Sequence, residues 1–307
     1  MQKDVTLDTL EKKIASGDFV ITAETTPKAT TDLKACLERV MPLRNVVDAV
    51  NITDGAGAKS HLSSLILASS MQQNGIEAIL QLTLRDKNRI ALQSDVLGAA
   101  SVGIKNFLIL TGDPVEVGDE KDSKFVGDFE NSTELIELLV KMYEHGVLSS
   151  GKKIDLPPQL FVGAADAPFD PPKDWKPVRL EQKLNSGAGF FQTQYCFDLD
   201  ICKKYFSRLS DLGILERSSW LVGIGPFSSA KQALWMDKNL PGVDVPNKII
   251  ERLEKAKDQK KEGSKICIEI LQQLNEIPGI SGAHIMGPNQ ESAVSEIVIE
   301  SQIVSKK

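Results

Sequence analysis

Eight apolar, β-rich segments recur along this 307-residue chain, and at least six of them stop at a polar or acidic residue. They cover residues 19–24, 47–53, 77–83, 105–113, 160–166, 189–194, 220–225 and 282–286. The stretches between them carry the spacing of amphipathic helices. Strand–helix alternation repeated eight times is the pattern of an α/β protein of the (β/α)8 barrel type. In that fold the C-terminal ends of the strands gather on one face, and that face carries the chemistry. Glu24, Thr53, Thr83, Asp113 and Gln194 are therefore expected to converge although they are far apart in sequence. A barrel of this kind takes about 250 residues, so residues 1–307 are read as a single barrel domain with a short N-terminal helical lead-in. The amphipathic stretch 7–14 is expected to cover the barrel bottom or its rim.

Punctuation along the chain agrees with this alternation. Helices are expected at about 31–41, 59–74, from Arg89 to about 101, 132–145, 178–186, from Ser229, from Val245-Pro246, 263–276 and 289–301. Two connections stand out. Residues 115–131 form a long polar segment rich in Asp, Glu, Lys and Gly, too long for an ordinary loop. Residues 167–177 carry Pro168, Pro171, Pro172 and Pro177, which hold the chain stiff and non-helical.

Composition excludes several classes. The net charge is −6 and no basic patch stands out, which argues against a nucleic-acid partner. The mixed Lys/Glu/Asp run at 255–265 reads as a solvated helix face or loop. No apolar run approaches the roughly 18 residues of a membrane span. The four cysteines form no CxxC, and no secretory leader precedes the first strand, so reduced thiols in a cytoplasmic protein are expected.

Three residues invite chemistry. Glu24 ends an apolar strand, where desolvation in a concave site favours the protonated form of a general acid; a capping or salt-bridged glutamate is the plainer alternative. Asp113 follows Gly112 and precedes Pro114, so it is either a ligand-facing acceptor or a turn aspartate. Gln194 offers an amide that matches the paired donors and acceptors of a pterin or pyrimidine edge. Strict alternation places Gln192 on the same side, and both could instead form a polar layer inside the barrel. His284 lies within the eighth strand and could face the site, whereas His145 reads as a helix C-cap. No HExxH, GxSxG, P-loop or strand-linked GxGxxG is present.

Taken in order, the stretches Ala23-Glu24-Thr25-Thr26-Pro27, Asn51-Ile52-Thr53-Asp54-Gly55, Gln81-Leu82-Thr83 with Arg85-Asp86-Lys87-Asn88-Arg89, Leu110-Thr111-Gly112-Asp113-Pro114 and Gln192-Thr193-Gln194-Tyr195 resemble the methylenetetrahydrofolate reductase family. The resemblance spans nearly the whole chain. It implies a (β/α)8 barrel that carries FAD and uses NADH or NADPH to reduce 5,10-methylenetetrahydrofolate to 5-methyltetrahydrofolate in one-carbon metabolism. It also implies residue roles. Glu24 falls on the catalytic acid, Asp113 on the aspartate near flavin and pterin, and Gln194, with Gln192 beside it, on the folate contacts. Thr53, Thr83, Asp113, Ala165 and Lys183 fall in the cofactor-binding set, Lys183 near the phosphates. Homo-oligomers are common among such proteins, and the regulatory domain through which S-adenosylmethionine acts on long forms is not expected here. The chain departs from the family pattern at Thr25-Thr26, Gln81, Thr111 and Ala230. Other readings therefore stay open: a folate-linked enzyme running toward oxidation, one without tightly bound flavin, or a subunit needing a partner protein. A non-enzymatic folate- or flavin-binding barrel is a third class, and the joint presence of Glu24, Asp113 and Gln194 argues against it.

Overall fold

Each of the eight expected segments forms a strand in the computed structural model, which describes residues 9–303. In chain order the strands are β1 (Val20–Thr25), β2 (Ala49–Ile52), β3 (Ala78–Thr83), β4 (Asn106–Leu110), β5 (Phe161–Asp166), β6 (Phe190–Tyr195), β7 (Ser219–Ile224) and β8 (Gly282–Ile285). Each pairs in parallel with its sequence neighbours, and β8 returns to β1, so the barrel is closed and leaves no edge strand. The helices are α1 (Leu10–Ala15), α2 (Leu33–Val40), α3 (Ser64–Gln73), α4 (Arg89–Ser101), α5 (Ser132–Glu144), α6 (Val178–Asn185), α7 (Leu199–Asp211), α8 (Ala230–Asn239), α9 (Asn247–Lys255), α10 (Gln259–Leu274) and α11 (Glu291–Ser301). Among the described residues, none is long and apolar enough to cross a membrane.

The two-residue period of the strands sorts the lumen into layers. Val20, Ala49, Ile79, Leu108, Phe190 and Leu221 form a separate apolar cluster with Leu10 of α1. That cluster is the barrel floor. Gly163 pairs with Phe190, and a Cβ there would lie 2.3 Å from the Phe190 ring, so the glycine leaves room for the aromatic plug. Helix α1 seals the floor from below: the Leu10 N–H donates to Glu77 Oε1 at 2.9 Å, and the same oxygen accepts from Asn106 Nδ2 at 2.8 Å. Burial pushes the Glu77 carboxyl above its ordinary range. The expected lead-in helix thus lies under the barrel, over residues 10–15 rather than 7–14; Leu7 lies outside the described residues. Two residues above the floor, the lumen turns polar with Thr22, Asn51, Gln192 and His284, all buried.

Three expectations shift. The helix expected from Lys59 begins at Ser64, because Gly55, Gly57 and Ala58 adopt left-handed backbone and delay its start. The fourth strand ends at Leu110, three residues short of Asp113, where Gly112 (φ +90°) turns the chain. Helix α7, which falls between the sixth and seventh segments, was not among the expected helices; Asp198 caps it by accepting from the Asp200 and Ile201 N–H groups. The four cysteines are free and buried.

Candidate active site

Glu24 sits near the C-terminal end of β1, two residues above Thr22, with its side chain 16% exposed. Its two close polar contacts both fall on one oxygen. Gln81 Nε2 donates to Oε2 at 3.1 Å, and His284 Nε2 stands 3.7 Å from the same atom. Below it the polar layer is knitted together. Asn51 and Gln192 exchange amide hydrogen bonds at 2.6 and 3.0 Å. Gln192 Nε2 also donates to Thr22 Oγ1 at 3.0 Å, and Thr22 Oγ1 lies 3.0 Å from His284 Nδ1. Buried polar groups are costly unless paired, and here they pair with one another.

Asp113 lies on the same rim but outside the lumen, exposed. Its Oδ2 accepts from the Gly57 N–H at 2.7 Å, which joins the loop after β4 to the loop after β2. The deeper fastener is Arg85, only 4% exposed. Its guanidinium donates to the Gly55 carbonyl and the Asp113 carbonyl, each at 3.0 Å, and pairs with Asp86 at 2.6 Å. The Asp86 partnership raises the guanidinium pKa further. A Cβ on Gly55 (φ +62°) would lie 2.2 Å from Arg85 Nη2, so this turn needs glycine. Asp54 Oδ2 accepts from both the N–H and hydroxyl of Thr83, at 3.1 Å each, and lies 3.3 Å from Lys87. Thr53 is buried at the end of β2, and its Oγ1 has no hydrogen-bond partner among the described residues.

On the opposite side, Lys183 of α6 reaches the end of β5, where its Nζ donates to the Ala165 carbonyl at 2.6 Å. Burial pushes this amine below its ordinary pKa, and neighbouring Asp166 opposes the shift. The Asp166 carboxyl accepts from Tyr205 Oη at 2.7 Å, yet its burial pushes it above its ordinary range. Between β6 and β7 the register shifts: Gln192 pairs with Leu221 but Tyr195 with Gly223. This bulge interrupts the alternation expected to put Gln192 and Gln194 on one side. Gln192 is locked in the lumen, whereas half-buried Gln194 turns its Oε1 back to accept from the Tyr195 N–H at 3.0 Å. Tyr195 closes the mouth between β6 and β8 by donating to the Met286 carbonyl at 3.1 Å. Burial and the Glu24 charge both raise its phenol pKa.

Glu24, Thr53, Thr83 and Gln194 stand at or next to the strand ends on this rim, Asp113 in the loop three residues beyond β4, and Lys183 reaches Ala165 at the end of β5 from helix α6. Sequence reasoning did not single out Asn51, Asp54, Arg85 or Tyr195 as site-builders. The signal was their presence inside the same motifs, one or two positions from a chosen residue.

The sequence model described as methylenetetrahydrofolate reductase matches residues 9–302. "Methylenetetrahydrofolate reductase 2" of Schizosaccharomyces pombe is 25% identical over 92% of this chain and 45% of its own length. "Probable methylenetetrahydrofolate reductase (NADH)" of Oryza sativa subsp. japonica is 25% identical over 98% of this chain and 51% of its own. The chain thus spans about half the length of these curated relatives. A solved structure superposes with a TM-score of 0.63 at 15% identity, covering 96% of this chain and all of its own: an uncharacterized protein from Clostridium thermocellum that binds two copies of 5-methyl-5,6,7,8-tetrahydrofolic acid. At that identity the likeness shows the shared fold alone.

Proposed function

The chain belongs to the methylenetetrahydrofolate reductase family, and from that premise we propose that it reduces 5,10-methylenetetrahydrofolate to 5-methyltetrahydrofolate, with FAD between NADH or NADPH and the folate. The observation that carries the reading is Glu24: a half-buried carboxyl at the mouth of a lumen whose polar groups are otherwise saturated, with both contacts on Oε2. Oε1 is then the oxygen that faces substrate. Opening the five-membered ring of the folate needs a proton at the departing nitrogen, and a positioned carboxylic acid supplies it. The resulting iminium is cationic, and Asp113 on the same rim offers the anion that stabilises it. Gln194 supplies an amide for the pterin edge.

The residues present fit a flavin. Thr53 Oγ1 is a buried hydroxyl without a partner, which a polar ring edge would satisfy. Thr83, Asp113 and the Ala165 backbone line the same rim, and Lys183 has two N–H groups beyond the one it gives to Ala165. When bound, the cofactor supplies hydride transfer. The protein's part is to orient the folate, hold the proton at Glu24 and place Asp113 by the developing charge. The names of the relatives and the folate bound by the Clostridium thermocellum protein support the substrate class.

The test is the visible spectrum of the purified protein supplied with FAD. Bleaching by NADH or NADPH and recovery on adding methylenetetrahydrofolate is expected. In Glu24→Gln the bleaching should persist and the recovery should fail. A protein that neither holds flavin nor turns over the folate overturns the reading, and normal turnover by Glu24→Gln removes the assigned acid.

A further inference from the structure

The carboxyl assigned above as the acid has a neighbour that no motif marks. We propose that His284 is a positioning residue for Glu24, locked by Thr22 and Gln192 as the neutral tautomer whose Nε2–H is directed at the Glu24 carboxyl group. The inference rests on the reading of Glu24 as the proton donor.

The tautomer follows from counting hydrogens. Gln192 Nε2 has two. One goes to Asn51 Oδ1 at 3.0 Å, within the reciprocal amide pair completed by Asn51 Nδ2 donating to Gln192 Oε1 at 2.6 Å. The other is directed at Thr22 Oγ1 at 3.0 Å, with His284 Nδ1 at 3.3 Å. Thr22 Oγ1 therefore accepts from Gln192, and its own hydrogen has two destinations: His284 Nδ1 at 3.0 Å or the Ala283 carbonyl at 3.5 Å. The nearer one is an acceptor only if Nδ1 carries no proton. A proton on Nδ1 would face the Gln192 amide hydrogens and displace the Thr22 proton to the longer contact. Which ring nitrogen of a histidine is protonated is set by the bond the other one makes. Here Nδ1 accepts, so the ring proton sits on Nε2, 3.7 Å from Glu24 Oε2.

This arrangement has a consequence for the acid. The ring is 2% exposed and lies in register with Thr22 across the β1–β8 pair, so it cannot swing away. It presents an N–H without a formal charge. Together with the Gln81 amide it gives Oε2 two neutral N–H neighbours, one at 3.1 Å and one at 3.7 Å. An imidazolium in the same place would pin Glu24 as a carboxylate. Neutral donors fix the side chain with Oε1 toward the mouth and add no cation beside it.

Two measurements on the full chain test this. In the 15N-histidine spectrum of the wild-type protein at neutral pH, the His284 resonances, assigned by their loss in His284→Gln, should report an unprotonated Nδ1 and a protonated Nε2. A protonated Nδ1, or a fully protonated ring, overturns the proposal whatever the enzyme does. The second measurement compares two amides. His284→Gln can carry an N–H to the place of Nε2, whereas His284→Asn reaches only as far as Nδ1. His284→Asn should lower kcat for methylenetetrahydrofolate about tenfold or more with KM nearly unchanged, the signature of an interaction used in the transition state. His284→Gln should recover most of that loss. Equal activity of the two variants overturns the positioning role. Failure of the wild type itself to turn over the folate removes the proposed function and leaves the tautomer to stand or fall on its spectrum.

Discussion

Strand β1 delivers Glu24 to the mouth, and the residues after it are held by one buried ion pair whose removal can be costed. Arg39 of α2 places Nε 2.9 Å from Glu291 Oε1 of α11, with the two side chains 16% and 1% exposed. The contact is electrostatic rather than an aligned hydrogen bond, since the Arg39 Nε–H has no hydrogen-bond partner among the described residues. The same guanidinium donates to Asn289 Oδ1 at 3.0 Å, to Thr25 Oγ1 at 3.2 Å and to the Thr26 carbonyl, while Thr25 Oγ1 donates to Glu291 at 2.7 Å. Arg39→Met leaves a fully buried carboxylate with one hydroxyl donor, and breaking such a pair costs about 3–5 kcal/mol. At an unfolding entropy of about 2.1 cal/mol/K per residue, this chain should lose roughly 5–8 °C of Tm. Glu291→Gln keeps the shape and the acceptor for Thr25, and Arg39 keeps its other acceptors, so roughly 1–3 kcal/mol is expected. The double variant should cost at least about 1 kcal/mol less than the sum, because the buried Glu291 charge that Arg39→Met leaves unpaired is absent once Glu291 is an amide. Urea unfolding of the four proteins gives the cycle. A cost below about 1 kcal/mol for Arg39→Met, or strict additivity, would refute the claim that this clamp holds the strand end.

Two further outcomes are expected. Burial raises the folded pKa of Asp166 above its ordinary value of 3.8, so the folded state holds that proton more tightly than the unfolded chain does, and stability falls as pH rises through the folded value. Asp166→Asn, which can still accept from Tyr205, should therefore gain on the wild type as pH climbs from below 3.8, and a gap that narrows or reverses in denaturant titrations at several pH values would contradict the assignment. Thr53→Val replaces a buried hydroxyl that has no partner among the described residues, so ligand-free stability should hold or rise by about 1 kcal/mol, while FAD affinity should weaken several-fold if that hydroxyl meets the cofactor, at about 1 kcal/mol for a neutral hydrogen bond; unchanged affinity by fluorescence titration would take Thr53 out of the site.

The barrel was legible because period 2 within strands and period 3.6 between them are local properties, and seven of the eight apolar runs fixed their strands to within about two residues, the fourth overrunning its end by three. The rim followed from the same pattern, since strand ends converge whatever the loops do. What alternation could not supply was anything that depends on backbone departures from it. The bulge between Gln192 and Tyr195 separates two glutamines that strict alternation would pair, and Gly112 carries Asp113 beyond the strand it was expected to end. Helix α7 was given no bounds because its start is signalled only by the lone cap Asp198, four residues past the sixth segment. Arg85 was visible within a quoted motif, but its role depends on the Gly55 and Asp113 carbonyls, 30 and 28 residues away, and no local signal reports such a contact.

The polar layer raises a physical question that its geometry answers. A barrel interior is normally a packed apolar core, and four buried polar side chains in one layer would be costly if left unpaired. Thr22, Asn51, Gln192 and His284 avoid that cost by satisfying one another across four strands, β1, β2, β6 and β8. Such a layer holds its members in one arrangement, because rotating any amide breaks two bonds at once. It also leaves little capacity for Glu24: among the described residues the layer's polar contact with the carboxyl is the His284 ring, and Gln81 of β3 supplies the hydrogen bond. The Glu24 carboxyl therefore sits on a floor that orients it without consuming both of its oxygens. An apolar floor could not direct the carboxyl, and an unsaturated polar one would draw it inward. The apolar cluster and α1 beneath the layer close the lumen from below, so the polar mouth at the strand ends is the face left for substrate.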